Sequence, residues 1–363
     1  MKTWRVLGAF GVASLLVVAA ACSGSNASSG ASASGDKSAA GSNTTAGGSA
    51  GADSSTINLV GFAVPEAANK AIAKAWAKTA DGKDVEFVTS YGPSGDQSRA
   101  VASGLKADYV HFSVPTDVTR LVDAGLVSKD WDQGKDKGVV STSVVVFGVP
   151  KGNPNHVKDW DDLIEPGAEI VTPNPASSGA ARWNALAAWG QVIANGGTEA
   201  DAQEYVTKLY GNVVSLPNSG RDATTAFTSG TGNVFLTYEN EAILARQNGE
   251  DFDYVIPPTT LKIENPGAVL NGATPRAAEW LKFVLSEEGQ TQFALKGFRP
   301  IDGAKVDVDE VEGANDPSKP FPEVKKLITV SDTFGSWSDL TKKYFAENTG
   351  VITQIIAKSG KAQ

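Results

Sequence analysis

One stretch constrains the fold of this chain more than any other: Thr172-Pro-Asn-Pro-Ala-Ser-Ser-Gly-Ala-Ala-Arg-Trp-Asn184. The short apolar run before it, residues 168–171, predicts a buried strand. Its prolines keep residues 172–175 out of a helix, and Ser178 is a favourable N-cap for a helix that follows. Apolar side chains on one face predict that helix: Trp183, Leu186, Ala187 and Gly190. The stretch therefore predicts a strand, a turn and a helix start in direct succession.

A helix start of this kind offers a site for a small anion. The first backbone N–H groups of a helix have no partner within it, and the helix dipole adds partial positive charge there. The small residues Gly179 and Ala180 would let an anion approach those amides closely. For this one turn, the alternative of a well-capped connection without a ligand stays open.

Similar strand-to-helix junctions recur along the chain. Three share a hydroxyl and small residues at a predicted helix start: Tyr91-Gly-Pro-Ser-Gly95, Ala176-Ser-Ser-Gly-Ala180 and Pro217-Asn-Ser-Gly-Arg221. Two of the predicted starts, at Ser94 and Ser219, also have capping-box spacing. A fourth junction, Gly61-Phe-Ala-Val-Pro65, lacks the hydroxyl. Several such junctions in one chain favour convergence on a single anion over capping alone.

The N-terminal residues 1–22 have the pattern of an export signal, with Lys2 and Arg5 before an apolar run and small residues at its end. The run is too short for a comfortable transmembrane helix. Cys22 follows directly and, as the one cysteine of the chain, has no partner for an internal disulfide. The arrangement resembles the lipobox of bacterial lipoproteins, in which this cysteine carries the lipid. Ala19 departs from the leucine of that pattern, so ordinary signal cleavage stays open.

Residues 23–56 are almost wholly Ser, Gly, Ala, Asn and Thr and predict a disordered, flexible tether. The remaining residues, 57–363, are enough for two domains with ordinary cores. The chain carries 32 basic and 41 acidic residues, a net charge of −9, which argues against nucleic acid as a partner. An acidic protein that binds an anion needs local donors, and backbone amides would provide them.

The globular part alternates predicted strands and helices, which is typical of an α/β fold with parallel sheets and ligands at the carboxyl ends of strands. Residues 141–150 are almost continuously apolar and predict a strand buried on both faces. Residues 275–293 predict one long amphipathic helix. Other strands are predicted at 55–60, 84–90, 107–113, 212–216, 233–238 and 252–257, and other helices at 65–79, 116–124, 199–209 and 338–356.

Groups for catalysis are sparse. The chain has two histidines, His111 in an apolar predicted strand and His156 in a polar loop, and we expect a core role for the first and a solvated one for the second. Nucleophile-elbow, phosphate-loop and dinucleotide motifs are absent from the sequence. With two histidines and the cysteine at the N-terminus, a transition-metal site is not expected. The sequence predicts no catalytic residue, no cofactor and no metal.

These features together resemble the sulfate- and thiosulfate-binding proteins of bacterial ABC importers. The resemblance covers almost the whole globular part and rests most on residues 172–184 with Ala187-Ala-Trp-Gly190, and on Tyr238-Glu-Asn-Glu-Ala242. It is supported by Lys151-Gly-Asn-Pro154, Arg299-Pro300 and Phe334-Gly-Ser-Trp337. The resemblance implies an α/β, two-lobed fold of the type II periplasmic-binding-protein kind, in which each lobe is a mostly parallel sheet flanked by helices.

The resemblance also implies how the ligand is held, because that family binds a dehydrated dianion between its lobes through uncharged donors. Carried onto this chain, Ser178 would donate through its hydroxyl, and Gly179 and Ala180 through their backbone N–H groups. Gly220 would add an amide from the same lobe. Ser94 would contribute from the first lobe.

Two positions depart from the family pattern. Ala63 replaces an aspartate whose backbone N–H is used, so that contact can survive. Tyr238 replaces a tryptophan whose indole donates, and a phenol can also accept. A site built only of donors suits sulfate, whereas the proton of hydrogen phosphate would stay unpaired, at a cost of about 1–3 kcal/mol. Tyr238, or an acid such as Asp96 or Asp222, could accept that proton and weaken the discrimination, but we expect sulfate to be preferred.

Two arginines, Arg182 and Arg221, lie next to the implied donors in the sequence. A structural salt bridge near a helix start is expected for both. The alternative is that they polarise the ligand-binding amides from behind.

The domain arrangement follows from the resemblance: 57–142 is the first lobe with a return segment 259–330, 143–258 the second lobe, and 331–363 the C-terminal helices that brace the hinge. The implied function is an exported, membrane-anchored receptor, a monomer, that closes on sulfate or thiosulfate and docks on an ABC permease. The alternatives are a phosphate or molybdate receptor, or a secreted enzyme acting on sulfated or phosphorylated compounds. Such an enzyme would need a general base or a metal in the cleft.

Overall fold

The computed structural model describes residues 55–306 and 308–361. The predicted export signal, the lipidation of Cys22 and nearly all of the predicted tether lie outside the described residues. Within those ranges, no helix has both the length and the apolar character needed to cross a bilayer. The described fold belongs to one unit of the chain, residues 50–363.

Strands and helices alternate through most of the described chain, as the sequence predicts. The strands are β1 (Thr56–Phe62), β2 (Glu86–Gly92), β3 (Tyr109–His111), β4 (Val139–Pro150), β5 (Ile170–Val171), β6 (Val213–Ser215), β7 (Val234–Tyr238), β8 (Phe252–Val255), β9 (Thr259–Val269) and β10 (Lys326–Ile328). The helices are α1 (Glu66–Trp76), α2 (Ser94–Ala102), α3 (Pro115–Asp123), α4 (Gly179–Ala194), α5 (Glu199–Gly211), α6 (Gly220–Thr228), α7 (Glu239–Gln247), α8 (Pro275–Val284), α9 (Glu287–Leu295), α10 (Val330–Thr333), α11 (Trp337–Leu340) and α12 (Val351–Lys358). A 3₁₀ turn, Trp160–Leu163, and a π-helical turn, Thr341–Phe345, lie between them.

The sheet has two parallel halves joined by two long strands. At one end β1 pairs in parallel with β2 and β3, and at the other β5 pairs in parallel with β6 and β7. β4 and β9 pair antiparallel with each other, β9 also pairs with β3, and β4 also pairs with β7 and β8. We call the half with β1–β3 the first lobe, the half with β5–β8 the second lobe, and β4 and β9 the hinge strands. The boundaries given from the sequence, 57–142, 143–258 and 331–363, stay predictions.

Parallel pairing directs four helix starts to the junction between the lobes. α1 and α2 follow β1 and β2, and α4 and α6 follow β5 and β6. Because parallel strands all end at the same edge of their half-sheet, helices that follow them also begin at that edge. The two edges face each other across the hinge strands.

The hinge strands explain one correct prediction and one element that was missed. β4 is the predicted buried strand, and its residues 140–149 are all buried, since β7, β8 and β9 all pair with it. β9 was not predicted, because Pro266 and Gly267 argue against a strand. Pro266 is the last residue of β9 that pairs with β4. It has no N–H to donate, but its carbonyl accepts from Phe112 N at 2.9 Å and so still contributes one hydrogen bond. At Gly267, an added Cβ would lie 2.3 Å from the Tyr109 hydroxyl.

α4, the helix predicted after Ser178, is buried on nearly all sides rather than on one face. Trp183, Leu186 and Trp189 are all fully buried or nearly so. The C-terminal segment supplies part of this cover: Trp337 packs edge-on against Trp183 at 4.8 Å, and Tyr344 against Trp189 at 4.9 Å. The helix that begins the predicted anion site is therefore fixed in the centre of the fold.

The predicted single helix at 275–293 is wrong, because the chain breaks between α8 and α9. Ser286 ends the first helix by donating to the Phe283 carbonyl at 2.7 Å and caps the second by accepting from Gly289 N at 3.2 Å. The turn is so tight that a Cβ at Gly289 would lie 2.2 Å from the Phe283 oxygen. Local capping overrides the apolar periodicity here.

The return of the chain after β9 serves both lobes. α8 and α9 pack on α1 in the first lobe through ring contacts such as Trp76–Trp280 at 5.5 Å. The following segment differs, since Val311 and Ala314 pack into the cluster of the second lobe with Phe252. Residues of the predicted return segment 259–330 therefore contact both lobes, and its assignment to the first lobe stays a prediction.

His111 has the core role that the sequence predicts. It is fully buried, with Nδ1 3.2 Å from Asn69 Oδ1 and Nε2 3.1 Å from Ser141 Oγ. Burial lowers the pKa of His111 to about 3. The neutral imidazole therefore ties the first lobe to a hinge strand.

This burial predicts a pH dependence of stability. Because the folded pKa lies below the unfolded value of about 6.5, stability is full above pH 6.5 and falls as the pH drops towards 3. Between pH 7 and pH 5, His111 should account for a loss of about 2 kcal/mol in the free energy of unfolding. Urea unfolding at pH 7 and at pH 5 should show a smaller loss in the free energy of unfolding for His111→Gln than for the wild type. The control is His156→Asn, because His156 is exposed. If His111→Gln showed the same pH dependence of stability as the wild type, the prediction would be contradicted.

Candidate functional site

Three helix starts and the loop before α1 meet around one small cavity between the lobes. The cavity has a volume of about 10 Å³, on the scale of a single water molecule. Its lining comes from the ends of β1 and β2, the loop before α1 and the starts of α2, α4 and α6, and consists of Phe62, Ala63, Val64, Gly92, Pro93, Ser94, Ser178, Gly179, Ala180, Ser219 and Gly220. Six of the seven predicted ligand-binding positions are among these residues, so the structure brings the predicted junctions together.

The start of α4 has the form predicted from the sequence. Ser178 occupies the N-cap position with an extended backbone, but its hydroxyl makes no capping hydrogen bond. Gly179 and Ala180 are the first two residues of the helix, so their N–H groups have no partner within it. All three residues are buried at the cavity. The hydroxyl of Ser178 can therefore serve a ligand instead of the helix.

The start of α2 differs from the prediction. Pro93, not Ser94, holds the N-cap position, and no side chain caps the helix, so the predicted capping box at Ser94 is wrong. The Ser94 hydroxyl donates to Asp117 Oδ2 at 2.6 Å and accepts from Ser113 N at 2.9 Å. Ser94 therefore offers its backbone N–H to the cavity, while its hydroxyl proton is already used.

The start of α6 has the predicted form, whereas the loop before α1 differs from the prediction. Ser219 caps α6 by accepting from Asp222 N at 3.0 Å, which leaves Gly220 as the first residue of the helix with its N–H outside the cap. Ala63 lines the cavity, but its N–H donates to the Gly92 carbonyl at 3.0 Å. In this arrangement the Ala63 N–H is bonded within the protein and is not available for the predicted contact with an anion.

Tyr238 is the predicted residue that does not line the cavity. Its side chain is 1% exposed, and its hydroxyl lies 2.8 Å from Ser113 Oγ. Burial raises the pKa of the Tyr238 phenol, so the group stays protonated. The Tyr238 hydroxyl therefore contacts a serine of the first lobe and does not reach the cavity.

The two arginines have different roles. Arg221 forms the expected salt bridge, with Nη2 2.8 Å and Nε 3.0 Å from the Glu241 carboxylate, which raises the pKa of Arg221. Its Nη2 also donates across the lobes to the Val64 carbonyl at 3.3 Å. Arg182 has no carboxylate within salt-bridge distance among the described residues, so the expectation for it is wrong. It donates to the Pro175 carbonyl at 3.2 Å, and its guanidinium lies 5.5 Å from the centre of the Phe345 ring.

The cavity is lined entirely by residues that carry no charge. Asp96, which the sequence offered as a proton acceptor, is paired with Arg99 outside the lining. In the part of the chain that the structure describes, no group of His, Cys, Asp and Glu side chains could hold a metal ion. The arrangement can bind a small anion through amide and hydroxyl donors, and it places no general base against a bound molecule.

Residues 57–299 match the family model of bacterial extracellular solute-binding proteins. The chain belongs to this family. Its members bind solutes and are not enzymes, and the family's extracellular character agrees with the predicted export.

Individual relatives within the family are named for the solutes that they bind. A sulfate-binding protein of Synechococcus elongatus is 40% identical over 301 residues, which cover 80% of this chain and 84% of the relative. A thiosulfate-binding protein of Pseudomonas aeruginosa is 38% identical over 301 residues, covering 79% and 86%. The structure of the sulfate-binding protein SubI from Mycobacterium tuberculosis has 42% identity and a TM-score of 0.74, and covers 80% of this chain and 99% of that chain. The resemblance and the two-lobed fold predicted from the sequence are confirmed.

Sequence reasoning missed two residues that shape the site. Asp117 is buried at the start of α3, bonds the Ser94 hydroxyl and pairs with Arg120 Nη1 at 3.0 Å. Ser113 lies between the starts of α2 and α4. A usable signal existed for Ser113, since it ends a predicted strand at 107–113, where α/β folds place ligand-binding residues.

The approach of the lobes predicts an effect of Gly179→Ala. A Cβ at this position would lie 2.5 Å from Ser113 Cβ and 2.6 Å from its hydroxyl, so the second lobe would be pushed away from the first. Small-angle X-ray scattering should show a larger radius of gyration for the variant than for the wild type. Gly211→Ala is a matched control on α5, because no atom lies within 4 Å of its added Cβ. Identical scattering from both variants and the wild type would show that the lobes do not meet at Gly179.

Proposed function

We propose that this protein is a receptor that binds sulfate, or thiosulfate, between its lobes and delivers it to an ABC permease. The observation that carries the proposal is the uncharged cavity where the starts of α2, α4 and α6 meet the loop before α1. Helix N-termini attract anions through unpaired N–H groups and through the helix dipole. Relatives named for sulfate and for thiosulfate support the same ligand class.

The donors that we assign to the anion come from both lobes. Ser178 contributes its hydroxyl, and Gly179, Ala180 and Gly220 contribute backbone N–H groups from the second lobe. Ser94 contributes its backbone N–H from the first lobe. The anion would thus be bound by neutral donors only, and its two charges would be spread over several amides.

The chemistry of these groups favours an anion without a proton. Hydrogen phosphate needs an acceptor for its O–H, but the cavity lining contains no carboxylate. The nearby Asp117 already accepts from Ser94 and Arg120. An unpaired O–H in the site would cost about 1–3 kcal/mol, or about 10- to 100-fold in affinity. Sulfate should therefore bind much more tightly than phosphate.

The size of the cavity restricts the ligand further. Sites for organic ligands usually have about 300–1,000 Å³, far more than the space available here. A tetrahedral oxyanion is larger than this space, so its binding requires the lining to move outward, and less so for sulfate than for the larger molybdate. The geometry favours a compact inorganic anion over a sugar phosphate or another organic ester.

The remaining parts of the proposal concern residues and partners beyond the cavity. We assign residues 1–22 to export, Cys22 to a lipid anchor and 23–56 to a tether that lets the receptor reach its permease. We expect a monomer whose lobes, at about 57–142 and 143–258, close on the anion, with residues 331–363 bracing the hinge. We assign two arginines to the support of the amides that bind the anion: Arg182 in the first turn of α4 and Arg221 in the first turn of α6.

An anion series tests the function directly. The protein, dialysed free of anion, should unfold at a higher temperature when sulfate or thiosulfate is added. At about 100 times its dissociation constant a ligand adds about 2.7 kcal/mol of stability, which corresponds to about 5 °C in the midpoint. Phosphate at the same concentration should raise the midpoint clearly less, because its weaker affinity leaves it at a much smaller multiple of its dissociation constant. An equal rise with phosphate would contradict the proposed selectivity, and no rise with any of these anions would contradict the function.

The hydroxyl of Ser178 gives a sharper prediction. A hydrogen bond to a charged ligand contributes about 1.5–3 kcal/mol, so Ser178→Ala should weaken sulfate binding about 10- to 150-fold in calorimetric titration. The stability of the anion-free protein should hardly change, because this hydroxyl makes no capping bond.

The neighbouring serine is the matched control for this substitution. The Ser177 hydroxyl donates to the Asn218 carbonyl at 2.8 Å and does not line the cavity. Ser177→Ala should therefore bind sulfate as the wild type does. Equal affinities for Ser178→Ala and Ser177→Ala would remove Ser178 from the site.

A further inference from the structure

Ser113 is a meeting point of the lobes that the assigned anion donors do not explain. It follows β3 in the first lobe and is fully buried. Its hydroxyl lies 2.8 Å from the Tyr238 hydroxyl, and its carbonyl accepts from Trp183 Nε1 at 2.8 Å and from Asn265 Nδ2 at 2.9 Å. Two of these partners belong to the second lobe and the third to a hinge strand. One small residue is thus bonded to the second lobe at two points and to a hinge strand at a third.

The same residue contacts groups that we assign to the anion site. Ser113 N donates to Ser94 Oγ at 2.9 Å, which fixes the first turn of α2. On its other side, Ser113 packs so closely on Gly179 that no side chain fits between them. A shift of Ser113 would therefore move the starts of both α2 and α4.

Tyr238 has the position of a structural partner and not of a ligand-binding residue. It ends β7, where it pairs with Val145 of a hinge strand, and its ring lies 6.4 Å from the ring of Phe62 in the first lobe. It is 1% exposed and absent from the cavity lining. The hydroxyl is therefore directed at the other lobe from a well-fixed ring.

We propose that the Tyr238–Ser113 hydrogen bond is a clamp between the lobes, and that Tyr238 is a positioning residue that raises anion affinity without touching the anion. The proposal rests on the proposed function, since it assigns Tyr238 a different part in the same site. In this proposal Tyr238 does not bind the anion directly, which is the role that the sequence resemblance implied for it.

The clamp acts through the conformational equilibrium of the protein. Donors from both lobes meet only when the lobes are in contact, so the apparent dissociation constant equals the intrinsic one divided by the fraction of molecules in that arrangement. A clamp changes this fraction and so changes the affinity for every anion by the same factor. A residue that touches the anion would affect sulfate and thiosulfate by different factors, because the two differ in size and charge distribution.

The substitution Tyr238→Phe tests the clamp, because it keeps the ring and removes the hydroxyl. The dissociation constants for sulfate and thiosulfate, measured by calorimetric titration, should both rise by about 2- to 12-fold, the range expected for one hydrogen bond. Their ratio should stay as in the wild type. Small-angle X-ray scattering of the anion-free variant should show a larger radius of gyration than that of the wild type.

A double-mutant cycle and a control complete the test. Ser113→Ala should reproduce both effects, and the double variant should be no weaker than either single one, since both remove the same bond. Tyr205→Phe is the control: this buried tyrosine donates to the Trp160 carbonyl at 2.5 Å within the second lobe. It should lower stability but leave the anion affinities and the scattering unchanged.

The possible results separate the clamp from the function. A changed ratio of the two dissociation constants in Tyr238→Phe would show that Tyr238 contacts the anion, and would overturn the clamp. Unchanged affinities together with unchanged scattering would also overturn it. If the wild type binds neither anion, the proposed function fails, and the scattering of Tyr238→Phe and Ser113→Ala still decides whether the clamp exists.

Discussion

Everything at the candidate site depends on backbone N–H groups that a helix cannot satisfy by itself. The first turn of a helix leaves its amides without intrahelical partners, and a buried amide without a partner is costly. Here the starts of α2, α4 and α6 are buried together around a cavity of about 10 Å³. Caps and lobe-to-lobe contacts satisfy part of this demand, as in the bond from Gly95 N to the Ser177 carbonyl at 3.1 Å. In the function that we propose, an anion satisfies the amides that remain.

The hinge strands turn this local demand into a property of the whole molecule. β4 and β9 are the elements that join the parallel halves, so any motion between the two sets of helix starts would have to pass through them. In the clamp that we propose, the contact between Ser113 and Tyr238 stabilises the arrangement in which the lobes meet. Affinity is then shared between groups that touch the anion and groups that bring those together.

The charge pattern is consistent with this division. The protein has a net charge of −9, and the site that we propose would attract a dianion through donors that are fixed dipoles at short range. The nearby charges are kept behind the site: Arg221 is paired with Glu241, and Asp117 is held by Ser94 and Arg120. Arg182 lacks such a pair in the described part of the chain, and burial lowers its pKa. Neutral donors at the front and compensated charges behind favour an anion that brings no proton.

The sequence by itself determined the α/β class, the buried strand β4 and the junctions that carry Ser94, Ser178 and Gly220, because these depend on local periodicity, capping and small residues. It also indicated the family, which the relatives confirm. It failed in two places, for different reasons. β9 forms despite Pro266 because distant strands pair with it, and the helix predicted at 275–293 breaks because Ser286 makes local capping bonds. Only the tertiary structure decided that Tyr238 bonds Ser113 and that Ala63 donates to Gly92, since both depend on residues far apart in the chain. A pattern of neighbours can place a donor at a helix start, but packing between the lobes decides whether that donor remains free.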